Sequence, residues 1–299
     1  MNKVVGALGG NKAADAFRKT VSGDPSGAPE WSKQMAIGND VGLFGPDSAV
    51  WQVHGCIATL VGGIRALLMQ AAHPAALTGV AEHSAYDTDP LGRLERTTRW
   101  LTITSFGSTE AIELEARRVR EMHKRVNGTF EEKSGAQSPY SASDPRYLLW
   151  VHCAFTDSFL RAHEEFGYPL PQGADQYVRE WSKSAQPLGL MTAPQSKSEL
   201  AEVLATFAEN EVTSISMTPP IVGFILKPPF SKGGLFFYRI LANAAISTID
   251  QPFLSVLGLK PRSKKWLKVS KVLLDFLSYM LGHESPSQKI ARKRIDALQ

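Results

Sequence analysis

The stretch from Val50 to Ala72 is apolar enough, and nearly long enough, to cross a bilayer, yet Arg65 stands inside it with His54, Thr59 and Gln70. A guanidinium in hydrocarbon is costly, so the run reads as a helix buried in a protein core. The turn Gly45-Pro46-Asp47-Ser48 marks its start, with Asp47 or Ser48 as N-cap. His73-Pro74 marks its end, because the residue before a proline is pushed out of the helical region.

Similar signals continue along the chain. Helical spacing predicts a second helix over roughly 75–84 and a third that opens at Asp89-Pro90 and stops before Gly107. A fourth, from Thr109 to Val126, carries Ile112, Val119, Met122 and Val126 on one stripe and ends at Asn127-Gly128. Ser141-Ala-Ser-Asp-Pro opens a fifth that runs to Gly167, with Leu148, His152, Phe155 and Phe159 along one face. Shorter patterns follow at 173–185 and 196–210, the latter with a Ser196-x-x-Glu199 capping box. Pro219, Pro220, Pro228 and Pro229 predict loops, and helices over about 234–249 and 262–281 complete the series. Alternating strands at hairpin spacing are not seen, nor is any internal repeat. The expected fold is all-α, a single-domain helical bundle: an irregular arm over 1–45, a helical domain over 46–282 and a basic tail over 283–299.

A chain of 299 residues has interior enough to enclose a cofactor. Cys56 and Cys153 lie in apolar surroundings far apart in sequence, which reads as two buried thiols in a reducing compartment, with the cytoplasm as the expected location. The apolar run Val4–Leu8 is too brief for a signal-peptide core. The net charge of +4 is uneven: from Lys260 onward ten Lys or Arg face three Asp or Glu, so the preceding body is slightly acidic. A solvated helix surface is the ordinary meaning of such a patch, and nucleic acid is not the expected partner. Peripheral membrane contact is the more specific expectation, since Lys264, Lys265, Trp266, Lys268 and Lys271 precede Val272-Leu273-Leu274.

Common catalytic signatures are missing. No His-Glu-x-x-His supports a zinc protease, and no Glu-x-x-His supports a carboxylate-bridged di-iron bundle. Gly-x-Gly-x-x-Gly, a P-loop and Gly-x-Ser-x-Gly are also absent. What remains is histidine: five of the seven (His54, His73, His83, His123, His152) fall in one hundred-residue stretch of apolar, helix-patterned sequence beside arginines. That setting suggests a haem pocket more than a hydrolytic site.

His123 borders the apolar stripe of its helix, while His152 lies on the core stripe, either as a satisfied core histidine or as part of a site. His73-Pro74 reads as a helix end whose imidazole caps free carbonyls. His54 and His83 have no distinguishing context, and His163 and His283, beside glutamates, are expected to face solvent. Cys153 as a thiolate ligand lacks a supporting loop. Arg93, Arg96 and Thr97 share one side of their helix with Trp100 a turn further, where they could meet a propionate, a phosphate or a carboxylate, or simply form salt bridges with Glu95 near Arg99.

The blocks Leu-Leu-Met-Gln-Ala-Ala-His-Pro-Ala-Ala-Leu-Thr-Gly-Val-Ala-Glu-His-Ser (67–84), Asp-Pro-Leu-Gly-Arg-Leu-Glu-Arg-Thr (89–97), Val-Arg-Glu-Met-His-Lys-Arg-Val-Asn-Gly (119–128) and Trp-Val-His (150–152) resemble the DUF2236 family, over roughly residues 40–260. That family groups the oxygenase MpaB with the catalytic domain of the rubber oxygenase called latex clearing protein, and the order of blocks resembles its actinobacterial MpaB-like branch. The resemblance implies a globin-reminiscent helical core, a haem-binding domain over 46–282, a b-type haem and oxidative chemistry with O2 on an apolar, isoprenoid or lipid-like substrate. In the rubber oxygenase an Arg-x-x-Lys-Thr helix lies on the distal side and a histidine of the next helix is the proximal iron ligand. By resemblance Arg93 stands at the arginine, Arg96 where the lysine is, Thr97 at the threonine and His123 at the proximal histidine.

The lysine-to-arginine difference has a consequence, because a guanidinium does not give up its proton to ligate iron. Arg96 is therefore expected not to be an axial ligand, leaving the distal position open, water-bound or filled by another group such as His152 or His73. The resulting expectation is a haem b-dependent oxygenase in which His123 anchors the iron, Arg93, Arg96 and Thr97 orient propionates, dioxygen or substrate, and His152 is a second ligand or proton carrier. A haem- or ligand-binding protein without turnover, and a haem-free member with non-redox activity, stand as alternatives.

Overall fold

The structure, a computed structural model, describes residues 15, 18–19, 24–84 and 89–298. Ser48 accepts a hydrogen bond from the Trp51 N–H and starts α1 (Ala49–Gly55), as its place in the turn requires. The expected single long helix does not follow. The chain bends by 91° and continues as α2 (Thr59–Ala71), with Cys56 extended at the corner and Thr59 Oγ1 donating to its carbonyl. Both arms are apolar, so composition carries no mark of the bend. Among the described residues no single helix is long and apolar enough to cross a membrane.

Arg65 is fully buried in α2, where it pairs with Asp157 at 2.6 Å and donates to Ser158 Oγ. Both partners lie on α6 (Pro145–Glu165), the longest helix, against which α2 packs most extensively. Gly62 permits the close approach: a Cβ there would stand 2.8 Å from the Phe159 ring and 3.3 Å from the Ser158 carbonyl. Around this pair lie α3 (Pro74–His83), α4 (Pro90–Phe106), α5 (Thr109–His123), α7 (Ala174–Trp181) and α8 (Lys197–Asn210). Asp89, Asp144 and Ser196 cap α4, α6 and α8 as the sequence predicts. Glu199, however, accepts from the Gln195 N–H, so the reciprocal half of the expected capping box is displaced by one residue.

Three further segments differ from expectation. The fourth helix stops at His123, and Asn127-Gly128 opens a strand, β1 (Asn127–Glu131), antiparallel to β2 (Gln137–Ser141). Strands this short, one containing Pro139, leave little period-two signal. Phe130 and Tyr140 bury one face of the hairpin against Ala75 of α3. Second, Pro219 and Pro220 begin a helix, α9 (Thr218–Leu226), since the first turn needs no proline N–H. Pro228 and Pro229 do lie in the following loop.

After α10 (Lys232–Ile246), α11 (Gln251–Val256) and α12 (Lys265–Leu281), the third difference is α13 (Pro286–Asp296), inside the segment read as a basic tail. Ala291, Arg294 and Ile295 of α13 are buried. It packs on a 3-10 turn at Glu30–Ala36, within the segment read as an irregular arm, which buries Trp31 and Met35. Arg294 donates to the carbonyls of Met35, Val41 and Phe106 and so joins the two ends of the described chain. The architecture is a mostly helical single domain with one small hairpin.

Candidate functional site

A cavity of about 290 Å3 opens between α3, α4, α5, α6 and the hairpin. Three helices each turn one side toward it. From α4 come Arg96, Thr97, Trp100 and Leu101; from α5, Arg118, Val119, Met122 and His123; from α6, Leu148, Val151, His152 and Phe155. Each set holds residues three and four positions apart, the spacing that keeps side chains on one helix face. Most of this wall is apolar, and its polar groups are few, the usual composition of a ligand cavity.

His123 and His152 thus arrive at one cavity from different helices. Neither imidazole makes a hydrogen bond to any described residue. Burial pushes His152 down to about 4 and also lowers His123, so both rings are neutral at pH 7, with a lone pair available. By contrast, His54, His73, His83 and His163 each hold a partner through at least one ring nitrogen. His73 accepts from the Ala75 N–H and holds Glu211 through Nε2 at 3.0 Å, and it does not line the cavity. It therefore caps the start of α3 instead of the carbonyls before it, and the expectation that it could fill a distal position is withdrawn. His83 lines the cavity but bonds the Asn127 carbonyl at 3.1 Å.

Arg96 and Thr97 line the cavity, so two further residues singled out in the sequence come together with His123 and His152. Arg96 stands at the mouth, with its side chain 44% exposed and 3.4 Å from Asp89. Arg93 lies on the same helix, but its side chain is outside the described residues. Cys153 faces the core, and burial pushes its thiol up to about 12, which rules against a thiolate ligand. His163 is buried, donating from Nε2–H to the Pro169 carbonyl at 3.0 Å, and so corrects the expectation that it faces solvent; His283 is exposed.

Sequence reading missed Arg118, Met122 and Tyr140 as cavity residues. Arg118 could have been found, since it stands four positions before Met122 on the same helix face. It is held by Glu115, a fully buried carboxylate that also binds Arg99 at 2.9 Å. Tyr140 comes from the hairpin and carried no signal. Its hydroxyl donates to Glu82 at 3.1 Å, and burial with that carboxylate raises its pKa.

Among the described residues no group of three or more His, Cys, Asp or Glu side chains is placed to hold a bare metal ion. A haem makes a smaller demand, because the porphyrin brings four nitrogens and the protein need add only one imidazole. The donor set present, two neutral imidazoles without a hydrogen-bond partner among the described residues, in an apolar cavity with an arginine at its mouth, fits that demand.

No curated protein and no solved structure matches the chain. The family described as ER-bound oxygenase mpaB/B'/rubber oxygenase, catalytic domain, matches residues 51–278, a span that contains every residue of the cavity. The chain belongs to this MpaB/rubber oxygenase catalytic-domain family, a family of oxygenases.

Proposed function

We propose that the protein is a haem b-dependent oxygenase acting on an apolar substrate, isoprenoid or lipid-like, with cofactor and substrate sharing the cavity between α4, α5 and α6. The observation that carries this reading is the pair of neutral imidazoles, His123 and His152, facing one apolar space without a hydrogen-bond partner among the described residues. Haem bound there would supply the activation of O2 that side chains alone do not provide.

The chain's own residues would do the rest. His123, the last residue of α5, would hold the haem iron through a ring nitrogen, and its burial keeps that nitrogen unprotonated near neutral pH. His152, with a pKa near 4, stays neutral through the physiological range, so it serves as a second ligand or as an N–H donor more readily than as a cationic proton carrier. Arg96 at the mouth suits a carboxylate, and Arg118 adds a second guanidinium on the opposite helix. Thr97 presents a hydroxyl beside them, and Trp100, Val151 and Phe155 keep the interior dry for an apolar substrate.

The visible spectrum of the purified chain after haem supplementation tests this. A Soret band is expected for the wild type, with loss of axial histidine ligation in His123→Ala and retained haem with an altered spectrum in His152→Ala. A chain that takes up no haem, or a His123→Ala variant with the native spectrum, overturns the assignment. Oxygen uptake with isoprenoid substrates then separates turnover from binding alone.

A further inference from the structure

Helix α12 is apolar on two opposite faces. Its inner face is held by Leu267, Ser270 and Leu274, all buried, and Ser270 Oγ donates to the Ile240 carbonyl of α10 at 3.2 Å. On the other side Val269, Val272, Phe276 and Tyr279 are 47, 72, 56 and 86% exposed. They follow one another at three, four and three residues, which at 3.6 residues per turn makes one continuous outer stripe. On the adjacent helix α10, Phe236 and Phe237 are exposed as well. A solvated helix carries charge on its outer face; this one carries large apolar side chains there.

The charges beside the stripe decide what covers it. Lys264, Lys265, Lys268 and Lys271 stand at its N-terminal half, against Asp275 alone. Lys264 pairs with Glu165 and Lys271 with Asp275, whereas Lys265 and Lys268 make no ion pair among the described residues. Lys260 and Arg262 are exposed in the loop just before. Lysine stems lie along apolar surface while their ammonium groups reach outward, so stripe and cations can engage acyl chains and phosphates together. That combination suits a helix lying in the plane of an anionic bilayer surface.

We propose that the outer face of α12 docks this protein peripherally on anionic membranes, with Val272 and Phe276 entering the acyl boundary and Lys265 and Lys268 meeting lipid phosphates. The surface is independent of the chemistry in the cavity. Co-sedimentation of the full chain with phosphatidylcholine vesicles, with or without phosphatidylserine, tests it. The chain is expected to partition onto the phosphatidylserine vesicles, roughly tenfold or more above pure phosphatidylcholine, and to be released by salt.

Val272→Ser with Phe276→Ser, and separately Lys265→Glu with Lys268→Glu, should each lower partitioning by roughly tenfold. Melting temperatures should stay at the wild-type value, since all four side chains are exposed. No partitioning, equal partitioning onto both vesicles, or unchanged partitioning of either variant overturns the proposal. So does a wild-type dimer in solution that Phe276→Ser dissociates, which would make the stripe an interface between two copies.

Discussion

Tyr177 and His54 meet at 2.9 Å in the interior, and the contacts around them settle which atom donates. Ser105 Oγ gives its proton to the Leu101 carbonyl, so it accepts from His54 Nδ1–H at 2.7 Å, and His54 Nε2 accepts from the Tyr177 hydroxyl. Burial holds His54 down to about 3, far below its unfolded value of about 6.5. The unfolded chain therefore binds a proton that the folded chain refuses. Stability is complete above about pH 6.5 and falls as pH drops toward 3, by up to about 1.4 kcal/mol per pH unit for this residue. His152 adds a second loss over the window from about 6.5 to 4. Urea midpoints measured from pH 7.5 to 4.5 should decline accordingly, and His54→Gln should flatten the slope by one histidine's share. A pH-independent midpoint would show that neither ring is held neutral.

Neighbouring glycines of α2 should respond to the same substitution with opposite sign. A Cβ at Gly62 meets Phe159 and the Ser158 carbonyl on α6, while one at Gly63 meets nothing within 4 Å. Gly62→Ala is expected to destabilise by about 1–3 kcal/mol through forced separation of the helices. Gly63→Ala should stabilise by roughly 0.5–1 kcal/mol, because alanine loses less backbone freedom in a helix. Chemical denaturation of the two variants side by side measures the difference; equal effects would contradict this close packing of α2 on α6.

Removing the acid beside Arg65 should cost more than removing the arginine. Asp157→Asn leaves a fully buried guanidinium with Ser158 and the Thr248 carbonyl but without its counter-charge. A loss of about 3–5 kcal/mol is expected, the usual consequence of stranding a buried charge. Arg65→Met replaces the charge with an apolar chain of similar length and should lose clearly less. Denaturant midpoints rank the two.

Signals written within a few residues were legible in the sequence, and signals written by packing were not. Ser48, Asp89-Pro90 and Asp144-Pro145 announce helix starts because a cap acts on its own first turn. The 91° corner at Cys56 has no such mark, since α1 and α2 are equally apolar and only their neighbours decide the direction. For the site, helical spacing was enough to place His152 with Phe155 and Arg96 with Trp100 on shared faces. That these faces, and that of His123, close on one space is a tertiary fact. Tyr140 reaches the same space from a hairpin whose strands are too short to announce themselves. His54 looked featureless because its partners, Ser105 and Tyr177, lie far away in the chain.

Arg96 offers a test of the cavity mouth that stability does not confuse. Its side chain and that of Asp89 are 44% and 55% exposed and 3.4 Å apart, a pair that contributes little to folding. Arg96→Ala should therefore leave the denaturation midpoint within about 0.5 kcal/mol of wild type. If the guanidinium holds a haem carboxylate, the same change should speed haem transfer to an acceptor apoprotein several-fold. Arg96→Lys should fall between the two, because lysine keeps the charge and loses the planar fork that grips a carboxylate with two hydrogen bonds. It also places at this position a group that can lose its proton and bind iron, so its haem spectrum should change at alkaline pH where the wild-type spectrum does not. Identical transfer rates for all three proteins would remove Arg96 from the cofactor's anchors and leave that task to Arg118.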